Sequence, residues 1–142
     1  MFFFFRCFKI FTSLSKNFLL LTFFSLMLLT SIQKMSSSIR MTYITCPNIE
    51  TARKIASGII ENKLAACVNI FPEIESVYSW EGKIENEKET VLFVKSTVDK
   101  SDELKKYVKD NHPYDEPAFL ALEVDERASS EDFISWIKNQ VK

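Results

Sequence analysis

The 142-residue chain has only two glycines, Gly58 and Gly82, one histidine, His112, and three cysteines, Cys7, Cys46 and Cys67. Each scarcity excludes a class of function. Two glycines so far apart cannot form a GxGxxG or a P-loop, so the common glycine-rich phosphate cradles are absent. A single histidine removes paired-histidine zinc sites. The cysteines form no CxxC, and Cys7 lies in a leader, which leaves too few for a disulfide scaffold. There is no basic run to neutralise nucleic-acid phosphates, so a nucleic-acid partner is not expected. No serine sits in anything resembling a nucleophile elbow, and no catalytic constellation stands out, so an enzyme is not expected either.

Charge is unevenly placed. The 18 basic and 19 acidic residues nearly cancel over the whole chain. Met1–Met35, however, holds Arg6, Lys9, Lys16 and Lys34 and no acid, together with nine of the 13 phenylalanines. Ser36–Lys142 carries 14 basic residues against 19 acids, a net charge of −5. A basic, greasy leader (residues 1–35) thus precedes an acidic domain (36–142). Asn17–Ile32 is free of charge, longer than a usual signal core and just short of a comfortable membrane span. It reads first as a secretory signal or signal-anchor. An organellar transit peptide is the second reading, because no acid appears before Glu50 and serines gather at Ser36–Ser38. A third starts translation at Met35. The first readings put the protein in the secretory pathway, a membrane or an organelle, and the last in the cytoplasm.

In the domain, Met41–Thr45 is β-branched and aromatic and predicts a strand. Pro47 stops it and Asn48 can cap the helix that follows. Ile49, Ala52, Ile55, Ala56, Ile59 and Ile60 form that helix's apolar stripe. Leu64–Phe71 predicts a second strand closed by Pro72. Glu81-Gly82 is a two-residue hairpin turn between Val77–Trp80 and a strand that returns to Ser96. Asp99–Asn111 predicts a helix ended by His112-Pro113, Ala118–Asp125 a fourth strand, and Ser129 or Ser130 the cap of a last helix. The order β-α-β-β-α-β plus a terminal helix is the split βαβ, ferredoxin-like plan of the α+β class. It carries the strand order 4-1-3-2, which keeps Cys46 and Cys67 on non-adjacent strands and unbonded.

Alternation assigns the faces. Ala66, Val68, Ile70, Leu92, Val94, Leu120, Leu122 and Val124 are expected against the helices. Tyr43, Cys67, Asn69, Phe71, Val91, Phe93, Phe119 and Ala121 are expected on the other side, with only Lys95 and Glu123 charged. A face this apolar is not left in water. The simplest cover is another copy of the chain. The long hairpin Ser76–Thr90 points the same way, since two strands alone are marginal and free edges invite pairing. Tyr43, Phe71, Phe93 and Phe119 are the expected interface residues of a closed ring.

Three stretches in this order, KLAACVNIFP (Lys63–Pro72), SVYSWEGKIENEKETVLFVKS (Ser76–Ser96) and HPYDEP (His112–Pro117), resemble those of the divalent-cation-tolerance CutA family. TCPNIETARKIA (Thr45–Ala56) is similar to its first loop and helix. The resemblance covers roughly Met41–Lys142. It implies a ferredoxin-like subunit in a homotrimer, akin to nitrogen-regulatory signalling trimers. It also implies binding of copper or another divalent cation and a role in metal tolerance. Animal members with leaders are linked to processing or membrane anchoring of acetylcholinesterase, so the resemblance also implies a scaffold for a membrane or secreted client.

The residues themselves leave alternatives open. Cys67 is either a soft thiolate ligand for copper or a small buried hydrophobe. His112, with Asp115 and Glu116 nearby, is a metal ligand, a general acid/base, or a helix-end cation partnered by a carboxylate. Cys67, His112 and Glu116 form the candidate metal set, completed across copies if one chain cannot bring them together. Tyr78, Trp80, Lys83 and Tyr114 either line an intersubunit cleft of a small-molecule sensor or enzyme, with Lys83 taking an anion, or stabilise the hairpin and its turn. The charge run Glu81–Glu89 reads as a solvated strand face.

Overall fold

Strand β1 (Ile39–Cys46) is rich in β-branched and aromatic residues and lies inside the sheet, paired on both sides. The computed structural model describes residues 37–142, so the leader lies outside the described residues. After β1 come α1 (Ile49–Glu61), β2 (Cys67–Trp80), β3 (Lys83–Thr97), α2 (Ser101–Asn111), β4 (Phe119–Glu123) and α3 (Glu131–Gln140). The four strands pair antiparallel in the order β2-β3-β1-β4, as expected of the ferredoxin-like plan.

Local chemistry explains the boundaries. Asn48 Oδ1 accepts the Thr51 N–H at 2.8 Å and satisfies one of the orphan donors of α1. Asn62 Nδ2 returns to the Gly58 carbonyl at 2.8 Å, and Lys63 turns the chain out with φ at 53°. Ser130, not Ser129, caps α3. Glu81 and Gly82 both have positive φ, 49° and 80°, which gives a two-residue turn whose twist matches the hairpin.

Helices α1 and α2 cover one face. Ile55 and Ile59 from α1 and Leu104 and Val108 from α2 meet Ile44, Leu92 and Val94 of the sheet. Each large aliphatic side chain so buried contributes about 1.5–3 kcal/mol. The two helices approach closely at Gly58, where a Cβ would overlap the Tyr107 phenol. Helix α3 packs Ile134, Ile137 and Val141 on Ile39, with Val124 alongside. By alternation Ile39 belongs with Met41 and Tyr43, so α3 covers only one end of the opposite face. The chain enters the domain under one carboxylate: Glu126 Oε1 accepts the Ser38 and Ile39 N–H groups and both serine hydroxyls, while Oε2 accepts Lys138. These donors, Lys138 first, pull its pKa down to about 2.

Two sequence expectations are corrected. Pro72 does not close β2. The strand runs on to Trp80 through a bulge between Phe71 and Ile74. An edge strand tolerates a residue without an N–H, and Thr90 Oγ1 donates to the Pro72 carbonyl at 2.9 Å. Strand β4 has the opposite phase. Its register sets Phe119 beside Ile44 and Leu120 beside Tyr43. Phe119 therefore packs on the helix-side core rather than at the expected interface, and Ala121 and Glu123 share its side. Leu120 and Leu122 take the open face instead, 60% and 48% exposed. A one-residue slip exchanges every side chain of a strand between faces.

Substituting Gly58→Ala is expected to destabilise the domain by about 1–3 kcal/mol in urea unfolding, because overlap with Tyr107 outweighs the better helix propensity. Adding Tyr107→Leu should recover part of the loss. An unchanged midpoint for the single variant would contradict this packing.

Candidate functional site

Chemistry gathers where α2 returns to the end of β1. Pro113 forbids the helix from continuing, and His112 takes an extended backbone, φ −89° and ψ 140°. Its ring turns inward and is 9% exposed. Nε2 lies 2.9 Å from the Thr45 carbonyl, which can only accept, so Nε2 carries the proton. Nδ1 accepts the Tyr114 N–H at 3.1 Å. The two rings meet edge to face, with centroids 5.0 Å apart. Burial lowers the His112 pKa from its ordinary value, against the opposing pull of the Thr45 carbonyl and Glu89. His112 is thus a neutral, doubly bonded strut. It is neither an exposed helix-end cation nor a ring nitrogen free for a metal.

Glu89 is the residue that sequence reasoning missed. It lies on β3 where the hairpin joins the body and is buried, 9% exposed. Ser76 Oγ donates to its Oε2 at 2.6 Å. Its charge, after burial, helps raise the pKa of Tyr114 and pushes Cys46 up to about 11. Tyr78 is also raised, by burial first and then by Glu87, Glu89 and Glu85. Within the run Glu81–Glu89, Glu89 differs from Glu87 only in adjoining the buried Thr90-Val91, and that adjacency is the signal that could have found it.

Strand register separates the expected metal ligands. Cys67 stands opposite Lys95, which pairs with Met41, whereas His112 bonds Thr45. Four residues along β1 place the two about 13 Å apart in the strand direction alone. Glu116 is exposed and ion-paired to Lys109 at 3.1 Å. No group of three His, Cys, Asp or Glu side chains able to hold a metal exists among the described residues. Cys67 itself is free and half-buried, and Lys95 Nζ reaches both its sulfur, at 3.6 Å, and Asn69 Oδ1.

The hairpin divides the expected cleft residues. Trp80 pairs with Lys83 at the tip and Tyr78 with Glu85 below it. Tyr78 and Tyr114 both feel Glu89, but no hydrogen bond, ion pair or ring contact joins Trp80 or Lys83 to Tyr114 among the described residues. On the open face, Phe93 meets Tyr43 edge to face at 5.7 Å and Phe71 at 5.4 Å. With Leu120 and Leu122 these rings form a continuous apolar surface. A shallow depression of about 370 Å³ lies elsewhere, between α1 and Val68 of β2, and offers only Ser57 and Glu61 as polar groups.

Residues 40–140 match the profile of a family described as CutA1 divalent ion tolerance protein. The chain belongs to the CutA1 divalent ion tolerance family. It is 41% identical to Protein CutA, chloroplastic, of Arabidopsis thaliana, in an alignment covering 75% of this chain and 64% of that one. The chain thus spans less than two thirds of that relative's length. The crystal structure of CutA1 from Oryza sativa superposes with a TM-score of 0.71 at 40% identity, over 75% of this chain and 96% of that one. A PII-like protein CutA from Nostoc, in apo form, superposes with a TM-score of 0.68 at 31% identity, over 72% and 97% of the two chains. The CutA resemblance carried by the three sequence motifs is therefore correct, and so is the α+β fold it implied.

Because His112 has a folded pKa below its unfolded one, its contribution to stability is complete above about pH 6.5 and declines as the pH falls through and below that value. Protonation would also set an Nδ1–H against the Tyr114 N–H. The urea midpoint should therefore drop between pH 7.5 and pH 5, and His112→Gln should flatten that drop. Equal slopes for the two proteins would contradict the neutral strut.

Proposed function

We propose that this CutA protein is a non-enzymatic homotrimer that takes part in the response to divalent cations. The observation that carries the assembly is the open sheet face: Tyr43, Phe71, Phe93, Leu120 and Leu122 form one apolar surface, and α3 covers only its far end. A surface of this kind is buried between copies rather than left in water. The exposed hairpin, with Val77, Trp80 and Ile84 at 62–70% exposure, supplies a second surface and free edges for a neighbour.

Cation binding is then a property of the assembly. One chain brings too few ligands together, so a metal is held weakly, by groups drawn from more than one copy. Cys67 is the soft donor on the open face and would favour copper. His112 contributes by holding the Tyr114 loop rather than as a ligand. A second reading, a small-molecule sensor, is favoured by a different observation: the charge of the buried Glu89 helps raise the pKa values of two partly exposed phenols, Tyr78 and Tyr114. The scaffold reading, with a membrane or secreted client, draws its support from the leader alone.

Sedimentation velocity should find the chain trimeric, and Phe93→Glu should dissociate it into single chains. A folded wild-type monomer at micromolar concentration would overturn the assembly. In a chelator-competition titration, Cys67→Ser should weaken Cu²⁺ binding at least tenfold, whereas His112→Ala should have little effect beyond lowered stability. Unchanged affinity for Cys67→Ser would remove the copper assignment.

A further inference from the structure

The open face is not apolar throughout. At the start of β2, on the edge of the sheet, Cys67 stands directly opposite Lys95 of β3, and Asn69 follows on the same side. Lys95 Nζ lies 3.6 Å from Cys67 Sγ and also donates to Asn69 Oδ1. No ion pair ties Lys95 to a carboxylate among the described residues. Strand pairing thus holds a lysine nitrogen against a thiol, and the Asn69 amide fixes where that nitrogen sits. The long, flexible lysine stem can close the remaining gap without moving either strand.

The two thiols of the domain differ in what can happen to them. Cys46 is fully buried, and burial with the charge of Glu89 pushes its pKa up to about 11, so it stays an inert thiol. Cys67 is free and only half-buried, on an edge strand whose next same-side residue, Asn69, is exposed. A small oxidant reaches it. The first product of thiol oxidation, a sulfenic acid, is captured by a second thiol or by a nitrogen. Cys46 is on β1, which is not a neighbour of β2, so no second thiol of the domain is at hand. The nitrogen of Lys95 is.

We propose that Cys67 and Lys95 are a modification site: a peroxide-driven, reversible cross-strand link, a sulfenamide between Sγ and Nζ. Hydrogen peroxide is the oxidant. It passes one oxygen to the Cys67 sulfur, its O–O bond breaks, and the other oxygen leaves as water. The Lys95 nitrogen, having released its ammonium proton to solvent, then attacks the sulfur. The N–S bond forms, the S–O bond breaks, and the hydroxyl leaves with a second nitrogen proton as another water. Two electrons pass from the Cys67 sulfur to the peroxide. The link holds the sulfur at a stage that thiols reverse, short of sulfinic acid. It also fastens β2 to β3 around the whole hairpin, which constrains the unfolded chain. One consequence rests on the copper reading above: the link removes the soft donor, so peroxide weakens Cu²⁺ binding.

The test is tryptic mapping without reductant of the full chain after treatment with hydrogen peroxide. The expected product joins Leu64–Lys83 to Glu89–Lys100, uncut at Lys95 and lighter by two hydrogens than its parts. Dithiothreitol should release both peptides, and the urea midpoint of the linked protein should exceed that of the reduced one. Lys95→Arg keeps the charge but lacks the amine, so it should yield no joined peptide and carry Cys67 on to sulfinic acid. Absence of the joined peptide from the wild type, or the same Cys67 products in wild type and Lys95→Arg, would overturn the proposal. Chelator competition on the same samples keeps the two readings apart. A joined peptide with unchanged Cu²⁺ affinity supports the link and removes the copper reading. No joined peptide, with affinity still lost in Cys67→Ser, removes the link and leaves copper.

Discussion

A sheet with two apolar faces needs two covers, and this domain has helices enough for little more than one. Helices α1 and α2 bury Ile44, Leu92 and Val94 from one side. On the other side α3 packs over Ile39, Ala66 and Val124 at one end, and the Tyr43–Phe93–Phe71 rings stay partly open. The imbalance follows from topology: in the βαββαβ plan both crossovers place their helices on the same face. Everything distinctive about the molecule lies on the side those helices do not reach, including Cys67 with Lys95 and the hairpin face that carries Glu89.

The ends of the strands have a different logic. There the chain must leave the sheet, and its polar groups must find partners. His112 solves this for one end by bonding the Thr45 carbonyl with one nitrogen and the Tyr114 N–H with the other. Glu126 solves it for the other end by collecting the N–H groups of Ser38 and Ile39 while Lys138 offsets its charge. The two acids make an instructive contrast. Glu126 is well supplied with donors, and its pKa is pulled down to about 2. Glu89 is more deeply buried and has a single neutral donor.

Much of the fold was legible because it depends on local rules. Asn48 caps α1 as its position before the apolar stripe required, and Glu81-Gly82 makes the tight turn that glycine permits. The 4-1-3-2 order followed from the element order. Two features were not legible, each for a definite reason. Pro72 looked like a stop because proline cannot join a ladder, but on an edge strand with a bulge the missing N–H costs little. The phase of Phe119–Glu123 was unreadable because Phe119, Leu120, Ala121 and Leu122 are all apolar, so alternation carries no information. The register with β1 decides it.

The candidate site was legible only in part. Tyr78, Tyr114 and His112 stood out by residue type, but Glu89 was hidden among the acids of an apparently solvated run, and Cys67 was grouped with a histidine that lies at the other end of β1. The amino-acid order by itself determined most of the elements, their caps, the uneven placement of charge and the family, because these depend on periodicity and on motifs close together in the chain. Tertiary structure alone decided which face β4 presents, which nitrogen of His112 is protonated and which glutamate is buried. Those outcomes depend on groups far apart in the chain that meet only once the sheet has formed, so no local pattern records them.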